Sequence, residues 1–241
     1  MAGPRRAAVT EEAIDTWREV RDGVRDVAPA MIAAIPIGLL FGALAAAKGM
    51  SVLEVALMSG LVFAGGAQFA ALELWATPAP IAALAFSTLL INARHVLMGA
   101  SLARKTGRFT TLQRLLGFAV MADENWAFSE RRAARQPLTF AYFGGMGAVF
   151  WVNWVVLSTL GALAGSFLGD PQQLGADFAF TALFIGLIAG FGGGRVTLFT
   201  IAVSAIVAAA VHALAGPPWH VACGALAGIA AAYLAAPEAK P

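Results

Sequence analysis

Charge is confined to a few short blocks of this chain, and no other feature constrains its fold as much. Most charged side chains lie in residues 1–26, 104–114 and 130–135, and the stretches between them carry few or none. The 241 residues are 59% apolar and 12% charged, with a mean hydropathy of +0.75. That is about half the charge of a typical soluble domain, which excludes a water-soluble globule. The pattern predicts an all-α fold, a polytopic bundle of transmembrane helices.

The remaining chemistry excludes several function classes. The net charge is only +2, and lysines and arginines form no continuous stripe with interleaved aromatics, so nucleic-acid binding has no electrostatic footprint. A single cysteine, Cys223, cannot close an internal disulfide. His95, His212 and His220 lack metal-ligand spacing, so no metal site is expected. Neither a dinucleotide-binding glycine pattern nor a phosphate-cradling P-loop occurs, so no cofactor is expected and this chain alone does not drive pumping by ATP.

Before the first apolar run, Thr10 precedes Ile14, Trp17, Val20, Val24 and Val27, which recur at helical spacing, with Arg18, Arg21 and Arg25 among the polar positions. This reads as an amphipathic helix at the membrane surface within a cytoplasmic tail, residues 1–27, rather than a signal peptide. A span needs about 20 helical residues. Candidates lie near 28–47, 52–76, 79–102, 115–130, 138–168, 176–192, 196–214 and 218–236, eight as an upper count. Short linkers make residues 28–236 one transmembrane domain, with residues 237–241 a C-terminal tail.

Positive charge in short loops marks the cytoplasmic side. From residue 131 onward the pattern is self-consistent, with Arg135, Arg195 and Lys240 inside and Asp170 and Pro217 outside. Both termini are then cytoplasmic. Three ordinary crossings between residues 28 and 102 place the basic loop at Arg104, Lys105, Arg108 and Arg114 outside, against the rule. Two segments are candidates for not crossing. Segment 52–76 is interrupted by Gly65-Gly66, and segment 115–130 is short and carries Asp123, Glu124 and Asn125 near its middle. Broken or re-entrant helices are expected at both, and discontinuous helices are where transporters bind substrate.

Ala56–Gly66 echoes Ala182–Gly192, and GALA at Gly42 recurs at Gly161, which hints at an internal repeat. Small residues spaced by four, at Gly38 and Gly42, at Gly161, Gly165 and Gly169, at Gly186, Gly190 and Gly194, and at Gly224 and Gly228, let helices approach closely. One such face is a candidate for docking a second membrane subunit.

Polar side chains at membrane depth are costly and mark pathways. Asn92 and His95 share a helix face, with Arg94 pointing elsewhere. Arg94 lies about 13 Å from Ala103, too far to snorkel comfortably. Asp123 and Glu124 point about 100° apart on a helix, so one can serve substrate and the other structure. Beside Arg94 or His95, either acid could cycle a proton near neutral pH. Gln68 follows the glycine pair at a helix start, where backbone N–H groups attract a carboxylate. Asn153 reads as interhelical glue, and His212 and His220 as boundary residues.

Four motifs, GLLFGALA (Gly38–Ala45), VFAGGAQFAAL (Val62–Leu72), INARHVLMGASLA (Ile91–Ala103) and MADENWAFS (Met121–Ser129), together resemble the AzlC-type permeases, the large subunits of branched-chain amino acid exporters. The resemblance covers roughly residues 28–130. It implies export of branched-chain amino acids across the cytoplasmic membrane, with methionine as a further substrate, and a small partner subunit of the AzlD type.

The residues themselves fit a zwitterion. Its carboxylate is assigned to Arg94 or to the helix end at Gly65, Gly66 and Gln68, and its ammonium to Asp123 or Asn125. Its side chain is assigned to Phe63, Phe69 and Trp126, with Asn92 among the substrate contacts. Proton antiport runs through His95, Asp123 or Glu124. Two rival classes are a scaffold subunit without transport and an intramembrane enzyme using His95 as base. A scaffold has little reason to bury these charges, and no nucleophile motif supports catalysis.

Overall fold

A computed structural model describes residues 16–168, 185, 194–216 and 219–235. Among the described residues every regular element is a helix: α1 (Thr16–Ala47), α2 (Val52–Val62), α3 (Gly65–Leu74), α4 (Ile81–Ala103), α5 (Thr111–Ala119), α6 (Asp123–Ala133), α7 (Phe140–Leu168), α8 (Arg195–Ala215) and α9 (Trp219–Ala235). Four of them, α1, α4, α7 and α8, are long and apolar enough to cross a membrane, and α2 and α9 are shorter apolar helices. The fold is the expected all-α polytopic one. Thr10, Ile14, Gly169, Asp170, Gly186, Gly190, Pro217, Lys240, residues 237–241 and, apart from Ile185, the 176–192 segment with its repeat element lie outside the described residues.

Both expected breaks are present. Segment 52–76 becomes α2 and α3, and segment 115–130 falls within α5 and α6. The first break lies at Phe63-Ala64, just ahead of the glycine pair, which opens α3 instead of interrupting it. Phe63 adopts φ 20°, ψ 56°, a region that non-glycine residues seldom occupy unless their surroundings over-determine it. Local signals start the flanking helices. Ser51 Oγ accepts the Glu54 N–H at 3.3 Å while Glu54 accepts the Ser51 N–H at 2.7 Å, and Thr110 and Gln113 repeat this reciprocal capping before α5.

The amphipathic stretch and the first apolar run form one helix, α1. Its 32 residues extend about 48 Å, longer than the roughly 30 Å hydrocarbon core. It ends at Gly49, whose φ of 85° is a left-handed turn that glycine adopts without a Cβ penalty.

The chain divides into two compact units, one of the described residues up to 32 with 99–151, the other of 33–98 with the described residues from 152 onward. In the first, Tyr142, Phe143 and Met146 of α7 are fully buried, and Phe143 meets Phe109 and Phe118 at ring distances of 6.4 and 5.9 Å. The acidic face of α1 is held here. Glu19 pairs with Arg132 and accepts the Thr139 hydroxyl at 2.5 Å. Asp26 accepts the Tyr142 hydroxyl at 2.5 Å, and the Arg132 guanidinium lies 4.4 Å over the Tyr142 ring.

In the second unit, Phe41 of α1 sits edge-on to Phe69 at 5.4 Å and stacks on Trp154 at 6.1 Å. Here α1 and α7 touch backbone to backbone. A Cβ at Gly42 would strike the Ser158 carbonyl oxygen, and one at Gly161 the Leu39 carbonyl oxygen. Gly38 and Gly165 meet Leu157 and Ala43 in the same seam, and Gly224 packs on Ala208 and Ser204 between α8 and α9. These small-residue faces are used inside the chain. Lipid tails are as apolar as leucine, so close packing of this kind, rather than hydrophobic burial, holds membrane helices together.

Candidate functional site

The first break is closed by a buried polar cluster. Gln68, one turn into α3, and Ser59 and Ser158, from α2 and α7, are fully buried. Gln68 Nε2 donates to Ser59 Oγ at 3.2 Å, and Gln68 Oε1 accepts Trp154 Nε1–H at 2.8 Å. Ser158 Oγ donates to Ser59 Oγ at 2.8 Å. Both ends of the Gln68 amide are therefore engaged, and it ties α2, α3 and α7 together beside the irregular backbone. Gly65 lies under the Trp154 indole, where a Cβ would come within 3.2 Å of the ring. Gly65 and Gly66 thus start a helix against an aromatic wall, while Phe63 and Phe69 are buried in the core.

The second break, at residues 120–122 between α5 and α6, is closed by Asn125. Its fully buried side chain accepts the Ala122 N–H at Oδ1 (2.7 Å) and donates from Nδ2 to the Val120 carbonyl (2.8 Å). The Ser129 hydroxyl donates to the Asn125 carbonyl at 2.7 Å. Gly147 of α7 lies against the same amide, where a Cβ would stand 2.7 Å from Nδ2. Asp123 and Glu124 occupy the first turn of α6 and are half-buried, a position where the helix dipole favours negative charge. Trp126 Nε1–H donates to Ser101 Oγ at 2.8 Å, Ser101 donates to Glu130 at 2.8 Å, and Lys105 pairs with Glu130.

The third locus is on α4. Asn92 and His95 are half-buried and Arg94 is exposed. His95 Nδ1 lies 3.3 Å from the Asn92 carbonyl. Asn92 Oδ1 is buried and has no hydrogen-bond partner among the described residues. An unpaired buried acceptor costs about 1–3 kcal/mol, which a donor supplied by water or a ligand would recover.

Gly65, Gly66, Gln68, Asn92, Arg94 and His95 thus belong to one compact unit, and Asp123, Glu124, Asn125 and Trp126 to the other. Sequence reasoning passed over Ser59, Ser158, Trp154, Ser101 and Glu130. Trp154 carried a readable signal, since an indole N–H inside an apolar helix needs an acceptor. An apolar groove of about 450 Å³, lined by Phe199, Val203, Ala227, Ala231 and Leu234 among others, contains none of the expected site residues. No cluster of three or more histidine, cysteine, aspartate or glutamate side chains occurs among the described residues.

Broken helices stapled by buried amides, within a set of membrane-length helices, define a multi-pass membrane protein. Residues 29–168 match the family described as AzlC protein, and the chain belongs to that family. It is 30% identical to "Inner membrane protein YgaZ" of Escherichia coli over 177 residues, covering 70% of this chain and 72% of that one. It is 31% identical to "Branched-chain amino acid transport protein AzlC" of Bacillus subtilis over 173 residues, covering 70% and 66%. An "Uncharacterized membrane protein" of Archaeoglobus fulgidus is 30% identical over 203 residues, covering 78% and 88%. No solved structure matches significantly. The family and its Bacillus member together support a role in membrane transport.

Proposed function

We propose that the chain is a secondary transporter that exports valine, leucine, isoleucine and methionine across the cytoplasmic membrane in exchange for protons, with a small membrane partner of the AzlD type. Both termini face the cytoplasm in this reading, as the arginine distribution favours. The likeness to a protein named for branched-chain amino acid transport supports the substrate class. The observation that carries the reading is Asn92 Oδ1, buried and without a partner among the described residues, on the helix that also bears Arg94 and His95.

A zwitterion entering hydrocarbon must exchange its water for fixed partners. The carboxylate goes to Arg94 or to the N–H groups that open α3 at Gly65 and Gly66, with Gln68 holding that helix start in place. Asn92 Oδ1 receives the ammonium. Asp123, Asn125 and Trp126 remain proposed substrate contacts at the second break, and His95, Asp123 and Glu124 the proton-carrying groups.

Counterflow of labelled valine in proteoliposomes holding the chain and its partner, with and without a pH gradient, tests this. Accumulation of valine in the vesicle lumen that rises with an outward proton gradient, acid inside, and falls with an inward one is expected. Counterflow that ignores the gradient removes the proton coupling, and absence of counterflow for all four amino acids removes the substrate class.

A further inference from the structure

Eight positions apart in sequence, His212 and His220 come together across the turn between α8 and α9. Their ring centroids are 5.0 Å apart with the planes at 78°. His212 is exposed in the last turn of α8, and His220 is half-buried in the first turn of α9. The Nδ1 of His220 is buried and has no hydrogen-bond partner among the described residues. Gly216, with φ 69°, caps the end of α8, and Trp219, which opens α9, packs on Phe86 of α4 at 5.4 Å. The paired imidazoles are therefore held on a fixed frame, with a nitrogen lone pair or proton left unengaged.

A neutral imidazole is the preferred ligand of borderline divalent cations, at about 2.0–2.1 Å from nitrogen to metal. A tetrahedral ion shared by two imidazoles sets their nitrogens roughly 3–3.5 Å apart. Rings with centroids 5.0 Å apart reach that geometry by rotating the exposed His212 side chain. We infer that His212 and His220 form a two-imidazole binding site for a borderline divalent cation of the Zn²⁺ type, with water completing its coordination. No third histidine, cysteine or carboxylate joins them among the described residues, so the site is open and exchanges with the medium. Occupancy ties the end of α8 to the start of α9. This site is independent of the amino acid pathway.

The test uses the full-length chain, purified in detergent with a tag that contains no histidine. Titration with Zn²⁺ is expected to give one equivalent bound per chain and to raise the thermal unfolding midpoint. His212→Ala and His220→Ala are each expected to weaken binding at least about tenfold and to remove the thermal shift. Paramagnetic resonance of bound Cu²⁺ gives a readout independent of stability, with coupling to two imidazole nitrogens in the wild type and one in His212→Ala. Equal Zn²⁺ binding by the wild type and the double variant overturns the inference, as does an unchanged nitrogen count in His212→Ala.

Discussion

Replacing Gly161 by leucine is expected to remove most of the folded protein from the membrane. A Cβ at this position runs into the Leu39 carbonyl oxygen and comes within 2.8 Å of the Leu39 Cα. These are backbone atoms of α1, so no side-chain rotation relieves the contact and the helices must part. Parting them undoes the neighbouring contacts of Gly38 on Leu157 and Gly165 on Ala43, along with the ring packing of Phe41 on Trp154. Overpacking against movable side chains costs about 1–3 kcal/mol, and a collision with backbone along a whole seam exceeds that. Gly99→Leu is the control, because a Cβ there meets nothing within 4 Å. Detergent-solubilised monodisperse protein, measured by size-exclusion fluorescence, should collapse in the first variant and stay near wild type in the second. Equal yields would show that α1 and α7 do not meet through these glycines.

A second large loss is expected for Asn125→Leu, through polarity rather than volume. The Asn125 amide satisfies the Ala122 N–H and the Val120 carbonyl on the two sides of the break. Leucine satisfies neither, and each buried group left unpaired costs about 1–3 kcal/mol. Ser129→Ala removes only the hydroxyl that donates to the Asn125 carbonyl. A single intramolecular hydrogen bond of that kind contributes about 0.5–1.5 kcal/mol. Thermal unfolding midpoints in detergent should therefore fall well below wild type for Asn125→Leu and only slightly for Ser129→Ala. A midpoint for Asn125→Leu within error of wild type would mean that the amide does not hold the break.

The helix ends were legible because hydrophobic runs and charged blocks alternate cleanly. Asp123-Glu124-Asn125 inside an apolar segment located the second break for the same reason. The first break was legible only to within a few residues. Gly65-Gly66 marked it, yet the irregular residue is Phe63, whose backbone is fixed by surroundings that a local pattern does not encode. The continuity of α1 was hidden because the amphipathic stretch and the apolar run differ in composition while sharing one helical period, and the helix carries Pro29 and Pro36. Both lie inside the helix, where proline is tolerated when neighbouring groups satisfy the freed carbonyls.

The roles of the amides were less accessible. Periodicity assigns Gln68 to a face, but its partner Trp154 lies 86 positions away. Asn125 lay close to its partners, yet whether an amide meets substrate or seals its own backbone depends on the local conformation. Position in two different helices also hid His212 and His220, whose rings meet 5.0 Å apart.

The charged groups on α4 and α6 are tested most directly by valine efflux from loaded vesicles, comparing wild type with Arg94→Ala and Asp123→Asn at matched amounts of folded protein. If Arg94 binds the substrate carboxylate and Asp123 carries the proton, each variant should lose at least about tenfold in rate. Near-wild-type efflux in both variants would contradict a transport pathway lined by these residues.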